Sequence, residues 1–297
     1  MIGLIGGKLF KKFIVLDFND LIGEYTMEII KINKNNFKAK IILMIQKIII
    51  KNVNILIVIT SYIKKYAINI GVKDDKIKII PNGVDIRLFN PNIKGNLSYI
   101  NDIIKDKKIC MYTGRIDTWA GINIIQQLSN KFRNDYPEIL FVLIGSENDL
   151  VQNFSNLIVF KKIQYEDIPK FLSFADVILV PFPERDFTHA ASPLKLFEAM
   201  AMGKPVIASG LSGIKEIISH LENGVLIDSN DINEWYDAVL FILNSNSSSK
   251  KMGENARYTV EQKYNWDLLS QEYDNFIMHN YYMNYKKYNY NYKHIQY

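Results

Sequence analysis

Short, predominantly apolar runs punctuate the chain: FIVLDF at 13–18, NILIVIT at 54–60, FVLIG at 141–145, VILV at 177–180 and VIA at 206–208. Runs of this length, rich in Ile and Val and without polar alternation, are the mark of strands covered on both faces, as in parallel sheets. Parallel neighbours need long crossovers, and helix-compatible segments stand between the runs. Strands are therefore expected near 13–18, 54–60 and 76–80, and again near 109–113, 140–144, 157–160, 177–180, 206–208 and 224–227. A long helix is expected over 27–51, and Ser61 is the expected cap of the helix that ends at Gly71. Trp235, Ala238, Val239 and Ile242 share one face of a helix over 231–244, and closing helices follow over 252–263 and 266–280. The Tyr/Asn/Lys-rich residues 281–297 are expected to form a loose tail. An Asn-rich polar stretch at 90–106 marks a domain boundary, leaving parts 1–92 and 107–265 on either side.

With 297 residues, 48% of them hydrophobic, the chain can bury one large core or two modest ones. A net charge of +5 is mild, and no nucleic-acid-binding module is recognisable. Cys110 is the lone cysteine and begins an expected core strand, so no internal disulfide forms and a reducing, cytoplasmic setting is the default. In the first residues Lys8, Lys11 and Lys12 follow the short apolar run, the wrong order for a signal peptide. Lys47, Lys51, Asn52 and Asn54 break the apolar stretch 41–63, which is thereby unsuited to spanning a membrane.

The chemistry concentrates in SPLKLFEAMAMGKPVIAS, residues 192–209. It reads as a turn, a helix, a Gly203-Lys204-Pro205 stop and a strand. A helix start offers free N–H groups and a positive dipole end to a phosphate, here from Leu194 and Lys195. Pro193 cannot donate but suits the first helical turn. One turn further in, the Glu198 carboxylate can accept hydrogen bonds from sugar hydroxyls. As a good helix former it could equally be a solvated surface acid, but its place at the carboxyl edge of a parallel sheet favours a ligand.

Taken with KIIPNGVDIRLFNP (78–91), MYTGRIDTWAGI (111–122), FVLIGS (141–146) and YEDIPKFLSFADVILVP (165–181), this segment resembles the GT-B glycosyltransferases of the family 4 type, the glycosyl transferases group 1. The likeness covers most of residues 10–275, with the motifs in order. It implies an α/β, GT-B-like fold of two Rossmann-like domains with parallel sheets, the last helix, 266–280, crossing back onto the N-terminal one. That N-terminal domain is expected to be incomplete. Gly3, Gly6 and Gly7 cannot stand in for the family's early glycine-rich loop, because no strand precedes them. A truncated product, half of a split enzyme and a reduced form all remain open.

The resemblance implies transfer of a sugar from a UDP- or GDP-linked donor to an acceptor hydroxyl, with retention, in glycoconjugate or cell-surface polysaccharide synthesis. Arg115, after Gly114, would neutralise the leaving diphosphate, a task suited to a fixed fork of donors. The family's partner lysine five residues on is Ala120 here, followed by the expected Gly121. Lys195 is the candidate replacement, or else a surface lysine opposing the helix dipole. Glu198 would hold the ribose. A second family Glu, eight residues earlier, is Ala190 here, with His189 beside it. Ser192 and Leu194 face phosphate, Gly145 and Ser146 the ribose or base, and Ile163 the base. Asn19 and Asp20 are acceptor-side candidates, with Asp20 alternatively a turn or helix cap.

No cofactor and no metal are expected: the four His are dispersed, and Asp17 and Asp20 in DFND lack a phosphate-binding loop. The expected partners are the nucleotide-sugar donor, a glycan or lipid-linked acceptor, and a protein supplying the missing N-terminal half; nucleic acid is not among them. The Lys-dotted helix at 27–51 allows peripheral contact with the inner face of the membrane, although packing on the sheet competes for its Ile face. Ala120, Ala190 and the short N-terminal part also support a rival, a catalytically weak nucleotide-sugar-binding subunit or truncated pseudo-glycosyltransferase. A nucleotide-sugar epimerase of similar shape is a third reading.

Overall fold

The computed structural model describes residues 2–95, 103–116, 120–145, 154–161 and 163–294. The chain divides into two compact units. The first comprises Met1–Pro81, His189–Ala191 and Asp267–Tyr297; the second comprises Asn82–Thr188 and Ser192–Trp266.

The first unit holds a parallel sheet of β1 (Val15–Phe18), β2 (Ile55–Val58) and β3 (Ile77–Ile79) in that spatial order. β2 is central and buried along its whole length, as its unbroken apolar sequence requires. Its principal helices are α1 (Ile2–Leu9), α2 (Ile22–Ile29), α3 (Phe37–Lys51) and α4 (Ser61–Asn69). The helix expected over 27–51 is thus two. Between them Lys31 takes φ 52°, and Asn36 caps α3, its side chain accepting from Lys38 N at 2.9 Å. Asn side chains compete for backbone partners and favour caps over helix interiors, and KINKNN supplies three of them in a row of six. The cap of α4 is Thr60 rather than Ser61, its hydroxyl accepting from Ile63 N. Gln46 ties the unit together, accepting from Gly23 N and donating to Glu24 and to the Tyr66 hydroxyl.

The second unit holds six parallel strands: β4 (Lys108–Thr113), β5 (Ile139–Ile144), β6 (Leu157–Phe160), β7 (Val177–Val180), β8 (Val206–Ser209) and β9 (Val225–Ile227). Their spatial order is β6-β5-β4-β7-β8-β9. The chain runs outward from β4 to β6, returns to β7 beside β4, and runs outward the other way. That reversal between β4 and β7 is the switch point at which doubly wound sheets open a crevice beyond the strands' carboxyl ends. Helices α5 (Ile122–Phe132), α6 (Ile168–Leu172), α7 (Leu194–Ala201), α8 (Ile232–Asn244) and α9 (Asn246–Lys263) cover it. Trp235, Phe132, Phe141 and Ile125 are among the residues that fill the core.

Two expected boundaries shift. The second unit begins at Asn82 rather than beyond 92, because Val84 and Phe89 are buried within it. Arg257 of α9 holds that segment, donating to the carbonyls of Phe89 and Ile86 and also to that of Ala201. At the other end, α10 runs unbroken from Trp266 to His294, where a loose tail from 281 was expected. Leu269, Tyr273, Phe276 and Ile277 give this helix an apolar face on Ile57 and Ile80 of the first unit. Tyr281 extends it onto Phe13, ring edge to face at 5.8 Å. An anchored helix propagates at small cost per residue, so Tyr and Asn continue it where they would not nucleate one.

Candidate functional site

At the switch point the turns after β4 and β5 lie almost in contact. Gly114 adopts φ +125°, and a Cβ on Gly145 would stand 2.1 Å from the Gly114 carbonyl oxygen. Both positions are therefore closed to larger residues. Beyond these turns lies a cavity of about 400 Å³ whose lining includes Gly114, Arg115, Gly145, Ile163 and Tyr165. Thr113, at the last position of β4, also lines it; its hydroxyl is buried without a hydrogen-bond partner among the described residues.

Helix α7 brings two ionisable side chains to the same place. The Lys195 amine donates to the Tyr112 hydroxyl at 2.6 Å and lies 3.9 Å from the centre of that ring. A Cβ on Gly114 would come within 2.6 Å of this nitrogen, which places the amine directly against the cavity-lining turn. The residue as a whole is half-buried, but its charged end is enclosed, and desolvation brings its pKa down to about 7 against the opposing pull of Glu198. Glu198 is only 5% exposed, and burial raises its pKa to about 6 despite the hydrogen bond from Tyr165 and the nearby Lys195. Burial and the Glu198 carboxylate together raise the Tyr165 hydroxyl well above its ordinary value. Tyr165 thus joins the cavity wall to Glu198, and Gly114 joins it to Lys195.

Pro193 is the N-cap of α7, one place ahead of the first turn, and no side chain caps this end. The backbone N–H groups of Leu194 and Lys195 are accordingly first-turn donors without acceptors inside the helix. Leu194 is exposed, whereas Ser192 is buried, with its hydroxyl unpartnered among the described residues and its carbonyl accepting from Asn82 Nδ2 at 2.7 Å.

Gly114, Arg115, Gly145 and Ile163 thus line one cavity, with Lys195 and Glu198 reaching it through their neighbours; Ser146 lies outside the described residues. Ala120 is buried, and Gly121 beside it takes φ +72° with no space for a side chain. Ala190 groups with the first unit, its carbonyl accepting from Thr60. His189 stacks on Tyr62 in that same unit, the ring centres 5.7 Å apart. Asn19 and Asp20 follow β1 in the first unit, and Asn19 hydrogen-bonds the Asp17 carboxyl. Asp20 does not cap α2, whose N-cap is Leu21. It is exposed, yet the surrounding protein desolvates its carboxyl enough to raise the pKa. Among the described residues no group of three His, Cys, Asp or Glu could hold a metal ion, and no helix is long and apolar enough to cross a membrane.

Residue-type reasoning passed over Tyr112 and Tyr165. Both stand inside the motifs MYTGR and YEDIP, but an aromatic in an apolar strand reads as core, and one in a loop reads as surface. Their signal is the hydroxyl, which Tyr112, buried to 1% exposure, places against Lys195, and which the more exposed Tyr165 places against Glu198.

The family model described as glycosyl transferases group 1 matches residues 95–259, and that of glycosyltransferase family 4 matches residues 25–88. The chain belongs to the glycosyl transferases group 1. Among relatives, an uncharacterized glycosyltransferase of Methanocaldococcus jannaschii is 25% identical over 239 residues, 77% of this chain and 59% of that protein. The UDP-Gal:alpha-D-GlcNAc-diphosphoundecaprenol alpha-1,3-galactosyltransferase of Escherichia coli is 30% identical over 179 residues, 56% of this chain and 44% of that one. Sucrose-phosphate synthase from Thermosynechococcus elongatus superimposes with a TM-score of 0.74 at 21% identity, covering 95% of this chain and 72% of that structure. HepE of Anabaena, solved with UDP-glucose, also gives 0.74, at 17% identity and 93% and 75% coverage. The fold is thereby that of the GT-B glycosyltransferases. The chain spans between half and three-fifths of the length of the first curated relatives it matches, 59%, 57% and 58% in three cases.

Proposed function

We propose that this glycosyl transferases group 1 chain binds a nucleoside-diphosphate sugar in its second unit and takes part in moving the sugar to an acceptor hydroxyl. The product would be a glycoconjugate or cell-surface polysaccharide made on the cytoplasmic side of the membrane. One observation carries the reading: Arg115 lines a switch-point cavity that Gly114 connects to the Lys195 amine and Tyr165 connects to Glu198. Two cations and the first-turn amides of α7 meet the diphosphate; Glu198 accepts from the ribose; Ile163 and Gly145 border the base. The acceptor oxygen bonds to the anomeric carbon as the bond from that carbon to the phosphate oxygen breaks. The hydroxyl proton passes to the departing phosphate, and attack on the face the nucleotide leaves retains configuration. Preorganised positive charge on the leaving diphosphate is the largest contribution expected of the protein, and here it comes from side chains and amides. Asn19 and Asp20 are the acceptor-side candidates of the first unit. The UDP-glucose bound to HepE and the UDP-Gal in the name of the E. coli relative favour a UDP-linked donor over a GDP-linked one.

Ala120 and Ala190, both buried and both without charge, favour a second reading, a donor-binding subunit that needs a partner for turnover. Titration with UDP-, GDP- and CDP-sugars, followed by assay of free nucleotide with an acceptor extract, tests both. Saturable binding with turnover supports the transferase, and binding without turnover until a second protein is added supports the subunit. No saturable binding of any of the three rejects the site.

A further inference from the structure

Tyr112 is buried to 1% exposure in β4, yet its hydroxyl is engaged twice, 2.6 Å from Lys195 Nζ and 2.7 Å from the Arg115 carbonyl oxygen. An ammonium can only donate and a carbonyl can only accept, while a phenol has one proton to give. The directions are therefore fixed: Lys195 donates to Tyr112, and Tyr112 donates to the Arg115 main chain. One hydroxyl links the amine of α7 to the loop after β4. The ring adds a second hold on the amine, which also lies 5.2 Å from the centre of the Phe182 ring.

We propose that Tyr112 is a positioning residue for the donor's diphosphate, fixing the Lys195 amine against the Gly114 turn and the Arg115 loop in one relation to it. The inference rests on the diphosphate reading of the cavity. A lysine stem that is already pinned surrenders little rotamer freedom when phosphate arrives, and a preorganised cation binds more tightly than a free one. It also explains how Lys195, from a different element, can serve where Ala120 leaves the β4 loop without a second cation.

Tyr112→Phe keeps the ring and its packing and removes only the hydroxyl. Calorimetric titration of the full chain with UDP and GDP, and competition with uridine and guanosine, separates phosphate contacts from base contacts. The variant is expected to bind the diphosphate about tenfold more weakly, as for loss of a charged hydrogen bond, and the nucleoside unchanged. In a Lys195→Met background the same change is expected to have no further effect on affinity. Equal weakening for nucleoside and diphosphate reduces Tyr112 to a packing residue and overturns the proposal, as does unchanged diphosphate affinity. Wild-type protein that binds neither UDP nor GDP rejects the cavity reading before any substitution is made, and this proposal with it.

Discussion

In the second unit β5, β7 and β8 are buried at every position. The first unit, built from the same strand-and-helix alternation, leaves Ile5, Leu9, Phe10, Ile22, Phe37 and Met44 exposed on or beside its helices. Its sheet has three strands, with β1 and β3 at the edges, against six in the second. Apolar burial scales with the layers that cover a sheet, so the second unit carries the larger stabilising core. The groups proposed to bind the diphosphate and ribose, Arg115, Lys195 and Glu198, are in that unit. Rigid support and a switch point coincide there.

The sharpest way to break this comparison is Gly121→Ala. The backbone takes φ +72°, and a Cβ would fall 1.6 Å from the Pro181 carbonyl oxygen, a backbone atom with little room to yield. A cost on the order of 3 kcal/mol or more is expected, from the clash and the left-handed strain together. Calorimetry should show the second unit melting many degrees earlier, with nucleotide binding lost along with it. An unchanged melting profile would mean that the second unit is as yielding as the first.

Next in size are the two cations. Arg115→Ala and Lys195→Met are each expected to weaken nucleoside-diphosphate binding roughly 10- to 100-fold, the range for a charged hydrogen bond. Lys195→Met should leave the melting temperature unchanged or raised, because it replaces an amine whose enclosure opposes its charge with an apolar side chain of similar length. Equal affinity of both variants and wild type would remove the phosphate site from the second unit.

Most strands were legible because they are built on short apolar runs, as in β2, β5 and β7, and β6 and β7 fall on the expected residues. The Gly114-Arg115 turn and the Lys195-Glu198 helix were legible as well, since glycine, guanidinium and carboxylate carry their chemistry in their identity. What escaped is whatever depends on context. The break between α2 and α3 turned on Asn36 acting as a cap, and α10 outran its composition because the sheet anchors it. Tyr112 and Tyr165 acquire their roles from partners distant in sequence, Lys195 and Glu198, and no local spacing announces such a pair.

A smaller effect concerns pH. With Lys195 near 7, the amine of the free protein is charged below that value and increasingly neutral above it. A bound diphosphate favours the charged form, so binding takes up a proton above pH 7, and affinity falls as pH rises through 7 by at most tenfold per unit. Glu198, near 6, is ionised throughout that range. Titrations at pH 8 in buffers of different ionisation enthalpy should reveal the uptake, and Lys195→Met should abolish it. Uptake that persists in the variant would assign the proton elsewhere.

The smallest expected effect belongs to the first unit and asks whether its outer helix shares in the cooperative fold. Gly6 lies inside α1, and a Cβ there would meet nothing within 4 Å. Gly6→Ala is expected to stabilise the helix by about 0.5–1 kcal/mol through lost unfolded-state freedom and better propensity. Gly7→Ala, whose Cβ would stand 2.8 Å from the end of the Ile14 side chain, should gain less because that side chain must move. If α1 melts with β1–β3, hydrogen exchange across the sheet slows in Gly6→Ala as well as in the helix. Slowing confined to α1 would show a helix that opens alone, outside the cooperative unit of the sheet.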